Sequence, residues 1–93
     1  MSDTPEHRAT ARVRGAAFAR LILNARLKRG LTKATVVKRS GVSRSTYLRW
    51  EAGEATAPYP EHIRAVCRVL GVDHLQALKA LGYLSDDTLT PAA

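Results

Sequence analysis

The 93-residue chain, 45% hydrophobic and 5% aromatic, has the size of one small domain with a single modest core, and its prominent Ala and Leu favour an all-helical chain. No apolar stretch approaches the roughly 20 residues that span a bilayer, and the opening MSDTPEHRATARVRG lacks the apolar segment of a secretory signal, so a cytoplasmic protein without membrane contact is expected. Twelve Lys and Arg and no acid lie between His7 and Trp50, against three basic and six acidic residues from Glu51 onward, so the positive field belongs to the first half and points to a polyanion partner.

Residues 1–14 are polar, include Pro5, and read as a flexible basic arm whose Arg8, Arg12 and Arg14 are placed to follow a neighbouring groove of a polyanion. From Gly15 to Arg29, Phe18, Leu21, Ile22 and Ala25 fall at i, i+3, i+4 and i+7, the apolar stripe of a helix that Gly30 stops. Thr32 caps a second helix, KATVVKRS, with Val36 and Val37 inward and Gly41 at its end. Ser43 caps a third helix over 43–52, and GEATAPYP is a loop by its Gly and Pro content. Pro60 suits the first turn of a fourth helix, in which Ile63, Val66, Cys67 and Leu70 repeat the stripe. Gly71 ends it, Asp73 caps a fifth helix, and Leu75, Leu78 and Leu81 are expected to supply its buried side. The tail over 85–93 reads as disordered. The expected fold is therefore all-α, a compact five-helix domain over 15–84.

The third helix, in SGVSRSTYLRWEAG, divides its residues by phase. At about 100° per residue, Tyr47 and Trp50 fall nearly opposite Arg44, Ser45, Leu48 and Arg49. The aromatics then enter the core, with Val42 filling the preceding turn, and the arginines face outward. That outward face has the chemistry of a DNA reader: a guanidinium fork matches the two acceptors of guanine, serine takes either role, and leucine lies on a thymine methyl.

LTKATVVKRSGVSRSTYLRWEAG resembles the helix-turn-helix of the Xre and lambda-repressor class of regulators, a similarity extending from about Phe18 to Leu81 and including VLGVDHLQAL. The resemblance implies a lambda-repressor-like fold on double-stranded DNA, with the helix-turn-helix at about 32–52. Its second helix crosses the phosphate backbone and its third lies in the major groove. It places Arg44, Ser45 and Arg49, with Leu48 beside them, at bases. It places Lys33, Ser43 and Thr46 at phosphates, where Lys38 and Arg39 of the cationic second helix join them. Lys33 stands where the family often has glutamine, which implies a phosphate contact without base information. Val37 replaces a usual alanine and Leu48 a usual polar residue. The resemblance also implies an ion pair between Arg26, seven residues before Lys33, and Glu51, the first acid after 44 residues without one.

Other residues read as structural. Trp50 is a core anchor, and Cys67, on a buried stripe, is an inert apolar residue that cannot close an intramolecular disulfide. His62 and His74 sit near helix starts as surface or capping groups. No metal spacing, phosphate loop or activated nucleophile is present, so neither cofactor nor enzymatic activity is expected. The function expected is a sequence-specific transcriptional regulator, a small phage or prokaryotic repressor associated with the nucleoid. The alternatives are an antitoxin that binds both DNA and a toxin, and a nucleic-acid binder of low specificity. Leu81, Tyr83 and Leu84, an apolar exit of the fifth helix, are the expected contact of a weak homodimer.

Overall fold

A computed structural model describes residues 5–55 and 58–83, with side chains from residue 14 onward. The described chain forms five helices and no strand: α1 Pro5–Lys28, α2 Lys33–Ser40, α3 Arg44–Glu51, α4 Pro60–Leu70 and α5 His74–Ala80.

Capping chemistry sets most boundaries. Thr32, Ser43 and Asp73 are in extended backbone and accept hydrogen bonds from Thr35 N (3.1 Å), Thr46 N (3.2 Å) and Leu75 N (3.1 Å), which satisfies first-turn donors that would otherwise be orphaned. Gly41 and Gly71 end α2 and α4 in the left-handed conformation, and their N–H groups donate to the carbonyls of Val37 and Cys67. Pro60 opens α4, where its missing N–H costs no hydrogen bond.

The start of α1 differs from expectation. Over 5–14 the segment read as a flexible arm is helix, continuous with the apolar stripe that follows. Pro5 takes the first turn, and EHRATARVR, which follows, holds no Gly or Pro before Gly15. Gly15 itself is buried inside the helix because it touches the turn after α3: a Cβ there would overlap the carbonyl oxygen of Gly53. Gly15→Ala is therefore expected to push α1 and α3 apart and cost about 1–3 kcal/mol, read by thermal unfolding, despite alanine's better helix propensity. A stabilised variant would show that the contact opens freely.

The stripes of α1 and α4 meet at the centre. Phe18 and Ile22 of α1 and Ile63, Val66, Cys67 and Leu70 of α4 are buried around Val36 and Val42, with Leu21, Ala25 and Val37 at the margin. Burial pushes the Cys67 thiol up to about 11, so it remains protonated and apolar. The α5 side of the core departs from expectation: Leu75 is 48% exposed, and Ala77 and Leu81 are the buried residues, with Leu78 at the edge. α5 packs on both α1 and α4, and the small Ala77, one turn before Leu81, gives a short helix a close approach to both. Leu81, at 6% exposure, belongs to this core and is not a free dimer surface. Tyr83 is exposed, while Leu84 and the tail over 85–93 lie outside the described residues.

Candidate nucleic-acid interface

Two short helices carry the interface. α2 packs on α3 and α4, α3 packs on α1, and the turn over 41–43 joins α2 to α3. Ser40 straps that turn: its Oγ accepts from Val42 N at 3.2 Å and donates to the Val37 carbonyl at 3.4 Å. Val42 is buried beneath it. The crossing of α2 and α3 is thus fixed by one hydroxyl and one valine. The role of Ser40 was not read from the sequence, although a Ser before Gly at a helix end is a signal for such a strap.

α3 presents two faces. Tyr47 and Trp50 are buried, and Phe18 of α1 meets Trp50 edge-on with ring centroids 5.3 Å apart. Arg44, Ser45 and Arg49 are exposed, and Leu48 is half-buried between the two faces. Ser43 Oγ donates to Thr46 Oγ1 at 2.7 Å while accepting the cap bond. The Thr46 oxygen is therefore engaged as an acceptor, and its own hydroxyl proton remains available to an outside acceptor. Thr32 and Thr35 repeat the arrangement at the start of α2, their hydroxyl oxygens 2.8 Å apart. Lys33, Lys38 and Arg39 are exposed along α2. Arg14 is exposed and lies across Gly82 at the exit of α5, whereas the side chains of Arg8 and Arg12 lie outside those described.

The one acid of α3 is turned away and neutralised. Arg26 Nε donates to Glu51 Oε2 at 2.7 Å and Nη2 donates to Oε1 at 3.1 Å, a bidentate pair whose side chains are 11% and 5% exposed. Arg26 Nη1 also donates to the Leu31 carbonyl at 3.0 Å, so one guanidinium ties α1, the α1–α2 turn and α3 together. Burial raises the Glu51 carboxyl, but the hydrogen bonding and charge of Arg26, with Tyr47 and the Lys33 charge beside it, together outweigh burial and hold the group below the usual carboxylate range. The Tyr47 phenol lies against the pair. Burial, and after it the approach of the Glu51 carboxylate, pushes this phenol above its ordinary range; its oxygen lies beside that carboxylate without the geometry of a hydrogen bond. Tyr47→Phe is accordingly expected to be neutral or to stabilise by up to about 1 kcal/mol in denaturant unfolding, since it removes a buried unsatisfied hydroxyl. A loss larger than that would assign the hydroxyl a bond to Glu51.

A cleft of about 160 Å³ opens beside α3, lined by Thr46, Arg49, Trp50 and Glu54 on one side and Pro58, Tyr59 and His62 on the other. Glu54 is anchored there by its backbone N–H, which donates to the Arg49 carbonyl at 2.9 Å. Sequence reasoning placed His62 only as a surface or capping group and did not single out Tyr59. The available signal was Tyr59 between two prolines, each of which restricts the backbone so that the side chain is held outward.

The helix pair, its short turn anchored by the buried Val42, and an outward cationic face on the second helix of the pair define a helix-turn-helix. A sequence profile of the helix-turn-helix domain family matches residues 6–81, and the chain belongs to this DNA-binding family. Comparison with curated proteins and with solved structures gives no match. Among the described residues no helix is long and apolar enough to cross a membrane, and no group of three potential metal ligands is present.

Proposed function

We propose that the protein is a sequence-specific transcriptional regulator of the Xre and lambda-repressor class, acting as a repressor by occupying its operator and performing no catalysis. α3, as the helix over 43–52, enters the major groove, with Arg44, Ser45, Leu48 and Arg49 at base edges. Lys33, Lys38, Arg39, Ser43 and Thr46 hold phosphates on either side. The observation that carries this reading is the division of α3: two buried aromatics fix its roll, and Arg44, Ser45 and Arg49 stand exposed with no acid on that face. Such a protein works in the cytoplasm, on the nucleoid.

A single module of this size covers too little DNA for strong binding alone, so two protomers occupy two half-sites. With Leu81 in the core, Tyr83 is the described residue left for their contact.

Gel shifts with random and genomic duplexes at two salt concentrations test the proposal. A subset of genomic fragments should stay bound at the higher salt, while random duplexes are released steeply. Equal release of all fragments would replace the regulator with a binder of low specificity.

A further inference from the structure

The cleft beside α3 contains more chemistry than base reading requires. Tyr59 is 70% exposed, and its ring meets the His62 imidazole edge-on, with centroids 5.3 Å apart and planes at 88°. Across the cleft are Arg49 and Thr46, the residues of α3 that border its outward face. With α3 in the major groove, the strand running along that edge places its backbone at the cleft mouth. Four side chains then converge there: a guanidinium, two hydroxyls and an imidazole. All of them can donate to a phosphate when the imidazole is protonated, against the single carboxylate of the lining, Glu54.

We infer that this cleft receives a phosphate of the bound duplex and that His62 engages it as the imidazolium, so that DNA binding takes up a proton. The inference rests on the DNA-binding reading and deepens it. The groups facing His62 act in both directions. Arg49 of α3 opposes its charge, and Glu54 of the following turn favours it, as does Glu61 beside it on α4, while Tyr59 stacks against the ring without charge. A phosphate adds a negative charge on the same side as Arg49, engages that guanidinium and tips the balance toward the protonated ring. His74, the other histidine whose side chain is described, does not line this cleft.

Affinity for a fluorescent random-sequence duplex of about two helical turns, at fixed ionic strength, should fall by about three- to ten-fold between about pH 6 and about pH 8. His62→Gln should bind at the wild-type pH 8 level throughout, and His62→Arg should bind at the wild-type pH 6 level throughout. His74→Gln should keep the wild-type profile. Titration calorimetry in two buffers of different ionisation enthalpy should show proton uptake in wild type and none in His62→Arg, with circular dichroism verifying that each variant is folded. A wild-type pH profile retained by both His62 variants, or abolished by His74→Gln, would overturn the inference while leaving DNA binding intact. No binding of the wild type to any duplex at either pH would overturn both the inference and the reading beneath it.

Discussion

Glu51→Gln is expected to unfold in denaturant about 3 kcal/mol earlier than the wild type, with Arg26→Met close to it, because each leaves a buried partner without its counter-charge. Both oxygens of Glu51 and three nitrogens of Arg26 are engaged, at 2.7, 3.1 and 3.0 Å, so removal of either partner breaks two charge-assisted hydrogen bonds at once. An exposed pair would lose under about 1 kcal/mol, which makes the size of the loss diagnostic. Arg26→Met combined with Glu51→Leu should recover most of it, since an apolar pair of similar volume carries no desolvation cost. The pair also fixes an acid response. The folded-state Glu51 lies below its unfolded value, so its contribution is fully present above the ordinary carboxylate range, near about pH 4.3, and is lost as pH falls through the folded value. The wild type should therefore lose stability more steeply than Glu51→Gln below about pH 4, measured by urea unfolding across the acid range. Parallel slopes would mean that the carboxylate is not held by Arg26 in solution.

Local chemistry explains which parts of this arrangement were legible beforehand. Thr32, Ser43 and Asp73 as caps, Gly41 and Gly71 as stops, and the stripes of α1 and α4 depend on residues a few positions apart, and all of them form. The roll of α3 was readable for the same reason, since Tyr47 and Trp50 are one turn apart. Arg26 and Glu51 are 25 residues apart, and only the resemblance to a known class connected them. What escaped was decided by tertiary approach. Gly15 looked like a helix start, but its missing side chain serves the Gly53 turn. Leu75 looked buried by spacing, yet the faces of α1 and α4 select Ala77 and Leu81. The cleft of Arg49, Tyr59 and His62 exists only once the start of α4 lies near the end of α3, and no periodicity within either helix announces it.

Arg44→Ala and Arg49→Ala are expected to reduce the preference for specific over scrambled duplex, each by about 1–3 kcal/mol, while Lys33→Ala weakens both duplexes alike and flattens the salt slope by about one unit. The distinction follows from geometry. Arg44 and Arg49 stand on the exposed face of a helix whose roll is locked by Tyr47, Trp50 and the Arg26–Glu51 pair, so in the proposed complex their guanidinium forks start from a fixed origin. Lys33 opens α2, exposed beside the Thr32–Thr35 hydroxyl pair, and its ammonium is a point charge that attracts any phosphate equally. Of the two arginines, Arg49 also borders the cleft inferred to receive a phosphate, so its loss should lower affinity for scrambled duplex as well, and that of Arg44 should not. Fluorescence anisotropy with both duplexes over a range of salt measures all three effects. Equal losses on specific and scrambled DNA for Arg44→Ala would remove it from base reading and leave discrimination to Ser45, Leu48 and Arg49.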